Sequence, residues 1–318
     1  MKRDYIILAM VAIAAALLPK ALTNQYYLTV FIIIGIQSIL VVGLNLLMGY
    51  AGQISLGHAA FYALGAYFSG VLTATHHWNP WSAALVAAIA TALMALIVGI
   101  PTLKLEGHYL AMATLGIGII VQKLIEEFNG VTGGNNGLTN IPGISLHGFE
   151  FNTDLRFYYF VWAVVVILVA LSIHLINSRV GRACRAIHSS RLAAHHMGVN
   201  VQKIKVQIFV LSAVYASIAG SLYGHYQRYL DPGSFGFGLS IQLVVMVVLG
   251  GLGNVWGGIL GAAIINLLTE YISKFTEYGP VVFGLILIVM VLFMPKGIAG
   301  LAARLGGLIP RLREGKAS

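Results

Sequence analysis

Long apolar runs recur along nearly the whole chain and leave little room for any other kind of segment. A helix that crosses the hydrocarbon core of a bilayer needs about 20 predominantly apolar residues. The sequence contains ten candidate runs, some of them short, at residues 5–18, 26–48, 54–74, 81–100, 109–126, 157–176, 206–227, 234–250, 255–273 and 280–294. The pattern therefore predicts about ten transmembrane helices.

The composition supports this interpretation. Hydrophobic residues make up 58% of the 318-residue chain, and charged residues only 9%. So few polar groups cannot cover the surface of a water-soluble fold. We therefore expect an all-α, polytopic membrane protein that forms a single transmembrane domain over residues 1–318. The less apolar segments are a basic loop at 179–205, an outer loop at 129–156 and a tail at 296–318.

The positions of Lys and Arg predict which loops face the cytoplasm. With a cytoplasmic N-terminus and ten spans, fourteen of the nineteen Lys and Arg residues fall on the cytoplasmic side, as the positive-inside rule requires. Both termini are then cytoplasmic. The net charge of +9 reflects this orientation and contact with membrane lipid, rather than binding to nucleic acid.

The first apolar run has features of a secretory signal. Lys2 and Arg3 precede it, and three alanines lie near its end. We expect the run to be retained as a span. Its removal would still leave the basic loop on the cytoplasmic side, so the orientation does not distinguish the two cases.

The loop at 179–205 carries six Lys and Arg residues and no acidic residue. Small residues recur in it at helical spacing, and Gly198 then supplies a stop signal. The pattern predicts a short helix that lies flat on the cytoplasmic side and docks another protein through its small residues, Ala186, Ser190, Ala193, Ala194 and Met197. The alternative, on charge alone, is an anchor that contacts lipid headgroups.

Four polar residues lie in or beside the second and third apolar runs: Asn45, Gln53, Ser55 and His58. Polar groups are costly within a membrane and usually face the interior of a bundle or an aqueous cavity. Glycines at positions 49, 52 and 57 permit a broken or re-entrant helix. We treat the four residues as candidates for a translocation path. The alternative is an interfacial turn whose polar groups form hydrogen bonds between helices.

The outer loop contains the string TGGNNGL at 132–138. Its glycines and asparagines suit tight turns. The string lacks the Gly-Lys-Ser/Thr ending of a phosphate-binding loop. It therefore predicts a structured turn that faces the outside.

Small residues recur four positions apart in two places: at Ala216, Gly220 and Gly224, and at Gly253, Gly257 and Gly261. Such spacing lets helix backbones approach closely in lipid. It predicts two helix-packing seams. The functional alternative is that these faces line a path or slide during gating.

No catalytic, cofactor or metal site is supported by the sequence. The chain contains neither a GxxxxGK[ST] string nor a GxSxG string, so any ATP hydrolysis must occur on another subunit. His188 and the pair His195–His196 lack the spacing and the nearby carboxylate of a metal site. Glu106 lies at a span end, where we expect it to be solvated. Only Glu270 comes near the middle of a span, which weakens the case for a proton-coupled carrier.

The chain resembles a known family in four strings that occur in the right order. They are GLNLLMGYAGQISLGHAAFYALGAY, TGGNNGL, RACRAIHSSRLAAHHMGVN and VLGGLGNVWGGILGA. Together they are similar to the permease subunits of branched-chain amino acid ABC importers, of the LivM-like type. The resemblance covers nearly the whole chain.

The resemblance implies a multi-pass protein of a prokaryotic cytoplasmic (inner) membrane that moves its solute inward by alternating access. Its implied partners are a second homologous permease subunit, two cytoplasmic ATPase subunits that bind the ATP, and an extracytoplasmic solute-binding protein. The implied substrates are branched-chain amino acids, although related permeases serve urea, amides or other small amino acids. A self-sufficient carrier or channel is the competing function.

The resemblance also assigns roles to residues. The basic loop becomes the ATPase-coupling segment, through Arg185, Ala186, Ile187, Arg191, Ala193, Ala194 and Gly198. The outer turn becomes the docking site of the binding protein, at Thr132, Gly133, Gly134, Asn135, Asn136 and Gly137. The chain departs from the family pattern at Arg191, where the family usually has Glu, and at His195–His196. This departure bears on which ATPase the segment fits.

Overall fold

The computed structural model describes residues 2–21, 25–146, 149–151, 153–273 and 284. These residues are helical apart from their connections and one small antiparallel hairpin. The hairpin pairs β1 (Ser145–Leu146) with β2 (Phe149–Glu150), and Leu146 lies opposite Phe149.

Twelve α-helices lie within the described residues. They are α1 (Lys2–Ala21), α2 (Gln25–Asn45), α3 (His58–Ala74), α4 (Pro80–Thr102), α5 (His108–Glu127), α6 (Asn129–Thr132), α7 (Asp154–Asn177), α8 (Arg179–Ser189), α9 (Arg191–His196), α10 (Val201–Gln227), α11 (Phe237–Gly250) and α12 (Val255–Ser273). A π-helix continues α2 over Leu46–Tyr50, and 3-10 turns occupy Gly134–Asn136 and Pro232–Phe235.

The first nine apolar runs each coincide with a helix, and most predicted boundaries agree within a few residues. The tenth run, at 280–294, lies outside the described residues. Within those residues, seven helices are long and apolar enough to cross a membrane: Gln25–Tyr50, Pro80–Thr102, His108–Glu127, Asp154–Asn177, Val201–Gln227, Pro232–Gly250 and Val255–Ile272. Helix α3, at 17 residues, is shorter than these. The fold is therefore that of a multi-pass, all-helical membrane protein.

Helix α4 shows how this surface differs from that of a water-soluble protein. Its buried side is made of small residues at intervals of four, namely Ala83, Ala87, Thr91, Ala95 and Gly99. Its exposed side carries large aliphatic residues, including Leu85 and Ile97. Small residues let the backbones approach, and large apolar residues face lipid at no cost. Helix α4 therefore lies at the periphery of the bundle.

The packing of α3 against α10 forms the centre of the bundle. Gly65 of α3 lies directly against the backbone of Ser217, and Gly220 of α10 lies against the carbonyl oxygen of Tyr62. The Ser221 hydroxyl donates a hydrogen bond to the Gly65 carbonyl oxygen at 3.1 Å. Close backbone approach and hydrogen bonds between helices replace the hydrophobic effect, which does not act between helices in lipid. The first predicted seam is therefore a packing surface.

The second predicted seam is divided between a turn and a helix. Gly257 lies against the carbonyl oxygen of Gly250, and Gly261 lies against that of Met246, so both pack α12 on α11. Gly253 instead occupies the turn between these helices, with φ of +73°. A left-handed backbone of this kind favours glycine.

Helix α7 separates the outer loop from the basic loop. It contains 24 residues and is therefore about 36 Å long. Its first residue follows the β-hairpin, and its last precedes α8. The outer turn and the basic loop thus lie at opposite ends of a helix long enough to span a bilayer.

We expect the substitution Gly220→Ala to destabilise the protein by about 1–3 kcal/mol, because the added methyl group would overlap the Tyr62 backbone. The measurement is thermal unfolding of the purified chain in mild detergent. The control is Gly116→Ala, in α5, where a methyl group meets no atom within 4 Å. Equal melting temperatures for the two variants would contradict the proposed seam.

Candidate functional site

The chain leaves regular helix between α2 and α3. The π-helix at Leu46–Tyr50 is followed by seven non-helical residues, 51–57, before α3 begins at His58. Gly52 has φ of +66°, a conformation that residues with a β-carbon rarely adopt. The broken helix predicted from the glycines is therefore present. Backbone that leaves the helix within a membrane protein must find its hydrogen bonds elsewhere in the protein.

Asn45, the last residue of α2, forms two side-chain hydrogen bonds with a second interruption of the bundle. Its side-chain oxygen accepts a hydrogen bond from the Gly253 amide at 3.0 Å, and its side-chain nitrogen donates one to the Asn254 carbonyl oxygen at 2.7 Å. Gly253 and Asn254 form the turn between α11 and α12. Asn45 thus links the end of α2, where the helix is interrupted, to the turn between α11 and α12. These contacts are of the kind that the interhelical alternative predicts.

The other three path candidates differ from Asn45. All are at most 2% exposed. The described residues hold four buried side-chain atoms without a hydrogen-bond partner, and these are Oε1 of Gln53, Oγ of Ser55 and both ring nitrogens of His58. A buried polar group without a partner costs roughly 1–3 kcal/mol. Their confinement to six consecutive positions marks this segment as the candidate site.

A cavity of about 610 Å³ adjoins the interrupted segment. Gln53 lines it, whereas Ser55 and His58 do not. The Gln53 side-chain nitrogen donates to the Lys205 carbonyl oxygen at 3.4 Å. The cavity wall also includes Ile187, His188 and Arg191 of the basic loop. The two segments that the sequence singled out therefore meet at one cavity.

The basic loop forms two helices, so the prediction of one continuous flat helix was wrong. Helix α8 ends at Ser189, and Ser190 is extended, with φ of −158°. The Ser190 hydroxyl accepts a hydrogen bond from the Ala193 amide at 3.3 Å and so caps α9. Serine at this position favours a new helix start over continuation. Gly198, with φ of +80°, ends the unit as predicted.

Two arginines of α8 attach the basic loop to the end of α7. The guanidinium of Arg182 donates to the Asn177 carbonyl oxygen at 3.2 Å, and that of Arg185 donates to the Ile176 carbonyl oxygen at 3.1 Å. Terminal carbonyl groups of a helix lack partners within the helix, and cationic side chains satisfy them favourably. These contacts fasten α8 to the end of α7.

Four of the five residues of the predicted small face are exposed, and Ala194 is buried. Ile187 and Ala194 face inward and pack with Val201. Cys184 is also buried, and burial raises the pKa of its thiol to about 11. The thiol is therefore protonated and poorly nucleophilic at neutral pH. Besides most of the charged side chains, the exposed residues include Ala186, Ser190, Ala193, Gly198 and two large apolar side chains, Leu192 and Met197.

Arg191 forms an ion pair with Glu106. Glu106 lies between α4 and α5, and Arg191 begins α9. Both side chains are about half exposed, at 55% and 47%. Glu106 is therefore solvated as predicted, but it also has a partner 85 positions away that the sequence did not indicate. Both residues line the 610 Å³ cavity and a neighbouring cavity of about 960 Å³, so the pair stands at their boundary.

The outer turn is compact, and most of the predicted docking residues in it are at least partly buried or form its backbone turns. The Thr132 hydroxyl donates to the carbonyl oxygens of Ile125 and Phe128. Gly133, Gly134 and Gly137 all have positive φ. Thr132, Gly134 and Gly137 are buried and Gly133 is half-buried, whereas the side chains of Asn135 and Asn136 are exposed.

The outer turn is tied to the same helix that reaches the cavity. Leu138 and Leu230 exchange two backbone hydrogen bonds of 2.9 Å, and Leu230 lies just beyond the end of α10. Lys205, near the start of α10, lines the cavity. Helix α10 therefore connects the outer turn with the cavity beside the basic loop.

These features define a class of protein, namely a multi-pass membrane protein with an interrupted helix, unsatisfied polar groups at the interruption and a cavity beside it. Solute permeases are built in this way. The family described as "Branched-chain amino acid transport system / permease component" matches residues 25–293 of the chain. The chain belongs to this family.

Individual relatives of the chain belong to the same kind of transport system. The high-affinity branched-chain amino acid transport system permease protein LivM of Escherichia coli (strain K12) is 33% identical over 286 residues, which cover 83% of this chain and 67% of LivM. LivH of the same organism is 26% identical over 83% of this chain and 91% of LivH. A probable LivH permease of Methanocaldococcus jannaschii is 25% identical, over 82% of this chain and 88% of its own. No solved structure matches the chain.

We expect the substitution Asn45→Ala to destabilise the protein by about 1–3 kcal/mol, because it leaves the Gly253 amide and the Asn254 carbonyl group without partners. Thermal unfolding in mild detergent measures the effect. The control is Asn135→Ala, which removes the same side chain from the exposed outer turn. A melting temperature for Asn45→Ala equal to that of the control would contradict the structural role.

Proposed function

We propose that this chain is the transmembrane permease subunit of an ATP-driven importer that moves branched-chain amino acids, or a similar small polar solute, inward. The observation that carries the proposal is the shared cavity, whose wall includes Gln53 from the interrupted helix and Ile187, His188 and Arg191 from the basic loop. Any displacement of the basic loop therefore changes the surroundings of the polar segment directly.

The proposed assembly contains four kinds of component. Two cytoplasmic ATPase subunits bind and hydrolyse ATP, for which this chain has no motif. A second homologous permease lies beside this one, and the family relationship to both LivM and LivH supports such a pair. An extracytoplasmic binding protein delivers the solute. Ten spans with both termini in the cytoplasm would place the basic loop on the ATPase side of a prokaryotic inner membrane.

Helices α8 and α9 supply the surface for the ATPase. Leu192 and Met197 are 75% and 84% exposed, with Ala186 and Ala193 also on the surface. Large apolar side chains that project from a cationic segment next to water are suited to a protein contact. The inward residues Ile187 and Ala194 attach this surface to α10 through Val201. A displacement of α9 would therefore be transmitted to α10.

The binding protein would dock at the other end of α7. Asn135 and Asn136 present exposed side chains there, and the surrounding glycines and Thr132 hold the turn in shape. Because Leu138 is paired with Leu230, a force on this turn acts on α10. The outer and cytoplasmic partners would then bias the same helix.

Alternating access follows from linkage. ATP shifts the balance between outward-open and inward-open states only to the extent that the ATPases bind it differently in the two states. In this proposal that difference reaches the permease through α8 and α9. No covalent chemistry is required of this chain.

Purification from native membranes in mild detergent, followed by mass spectrometry of the accompanying chains, tests the assembly. We expect an ATPase and a second permease to copurify. A chain that purifies alone, under conditions that preserve other membrane complexes, would contradict the proposal and favour a self-sufficient carrier or channel.

Reversal of charge at Arg191 tests the coupling role. In Arg191→Glu, two carboxylates face each other where Glu106 formed an ion pair. An exposed pair contributes only about 0–1 kcal/mol, so the chain should remain folded. We expect loss of leucine uptake with continued ATP hydrolysis, measured in proteoliposomes of the purified complex.

The exchanged double variant Glu106→Arg/Arg191→Glu is the matched control, because it restores an opposite pair. We expect it to recover a large part of the uptake. The substitution Arg185→Glu should also uncouple hydrolysis from uptake, since it removes a contact between α8 and the end of α7. Normal uptake by both single variants would refute the coupling role.

A further inference from the structure

Helices α4 and α5 are covered by the rest of the chain to the same small extent, but their uncovered faces differ. In each helix, 28% of the most apolar stretch is buried. Helix α4 turns small residues inward and large aliphatic residues outward, as lipid favours. Helix α5 instead turns Gly116 outward, where an added methyl group would meet no atom within 4 Å. It is also the least apolar of the seven candidate spans in the described part of the chain. The uncovered face of α5 is therefore less suited to lipid than that of α4.

Helix α11 presents a polar group on its uncovered face. Gly238, Ile241, Gln242 and Val245 recur there at helical spacing, and each is exposed or half-buried. Gln242 lies near the middle of the span Pro232–Gly250, and its side chain forms no hydrogen bond with any residue that the structure describes. An amide without a partner is costly in hydrocarbon. Lipid acyl chains are thus a poor covering for this face as well.

The 610 Å³ cavity lies between these two helices and is open at its rim. Leu110 of α5 lines one side, and Val244 of α11 lines another. Three apolar residues of the cavity wall are between 40% and 51% exposed, namely Ile54, Leu105 and Leu252. A much smaller cavity lies farther along the same two helices, beside Gly118 and Ser240. The described part of the chain therefore leaves the larger cavity unclosed.

The interrupted segment lies directly behind α5 and α11. The Leu56 amide donates to the Thr114 hydroxyl of α5 at 3.0 Å, and the Ala59 amide donates to the Ser240 hydroxyl of α11 at 3.3 Å. The buried polar atoms without partners belong to this same segment. A protein bound to α5 and α11 would therefore contact the two helices that hold the candidate site.

Two apolar coverings fit this surface less well than a protein with polar side chains does. One is lipid, and the other is the run at 280–294, which lies outside the described residues and has no amide, hydroxyl or charged side chain. Neither can form a hydrogen bond with the side chain of Gln242. Neither complements the charged residues on the cavity wall, which are Glu106, Arg191 and Lys205.

We propose that Gly116 and Ile120 of α5, with Gly238, Ile241 and Gln242 of α11, form the contact surface for the second permease subunit, which closes the cavity. We call this surface the α5–α11 face. A homologous subunit presents the counterpart of this face, so the two faces can meet about a pseudo-two-fold axis. The identity of the partner rests on the proposed function.

The size of the α5–α11 face is adequate for such a contact. Helix α5 has 20 residues, so it is about 30 Å long, and two adjacent helices are about 20 Å wide. The face therefore covers roughly 600 Å², which approaches the ~800 Å² per partner of a stable interface.

Site-specific photocrosslinking in native membranes tests the face. Benzoylphenylalanine replaces Ile120 or Ile241 in the full-length chain, and mass spectrometry identifies the linked peptides. The matched controls are Leu93 and Leu96 of α4, which are 56% and 39% exposed, against 59% and 39% for Ile120 and Ile241. We expect positions 120 and 241 to link to a second chain of the same permease family, and positions 93 and 96 to link to lipid alone. Equal yields from both pairs, products with a second copy of this chain, internal products with 280–294, or lipid adducts alone would each overturn the proposed partner.

The substitution Gly116→Leu tests the contact while sparing the internal packing of the chain, because open space lies beside this glycine. The added side chain would hold the two subunits apart. We expect the amount of copurifying permease to fall about fivefold or more, with an unchanged melting temperature of the isolated chain in mild detergent. The control is Gly130→Leu, which also adds a side chain into open space but lies in α6. Undiminished copurification with Gly116→Leu would contradict the proposed face.

Failure of this face can be distinguished from failure of the proposed function. A permease and an ATPase that copurify, with crosslinks from α4 alone, would leave the importer in place and remove the face. Crosslinks from positions 120 and 241 to a permease, in a complex without an ATPase, would support the face and remove the ATP-driven importer.

Discussion

The architecture depends on the hydrogen bonds that satisfy interrupted helices. Water is absent from the hydrocarbon region, so a backbone that leaves the helix there must find its partners within the protein. Asn45, the last residue of α2, meets this requirement for the turn between α11 and α12, because its side-chain amide bonds to both the backbone amide of Gly253 and the carbonyl of Asn254. These two bonds hold the end of α2 beside the turn between α11 and α12.

The same constraint separates structural polar residues from candidate ligand groups. Asn45 has both of its side-chain functions engaged, whereas the acceptor of Gln53, the hydroxyl of Ser55 and both nitrogens of His58 have no partner. These groups were indistinguishable by sequence, since each is a polar residue in or beside an apolar run. Only the three-dimensional position of the turn at 253–254 shows that Asn45 is hydrogen-bonded within the protein, whereas the other three residues keep polar atoms without partners.

Most helices of the fold were predictable from local sequence patterns. Apolar runs marked nine of the helices, because the bilayer requires a continuous apolar segment wherever the chain crosses it. The glycines at 49, 52 and 57 indicated the interruption, and the small residues of α10 indicated its packing face. The division of the basic loop at Ser190 was missed, because helical periodicity continues across a serine cap and only the backbone conformation shows the break. The partnership of Glu106 with Arg191 was also missed, since nothing local relates two charges so far apart in the chain.

The ion pair between Glu106 and Arg191 contributes little to stability, and the reason is its exposure to solvent. Both side chains are about half exposed, so water screens their attraction and the pair contributes about 0–1 kcal/mol. Moving a two-state equilibrium from 1:99 to 99:1 requires about 5.5 kcal/mol. Separating the pair would therefore cost only a small part of the free energy that such a switch involves. If α9 moves as the proposed coupling role requires, the solvent exposure of Glu106 and Arg191 keeps the free-energy cost of separating them small.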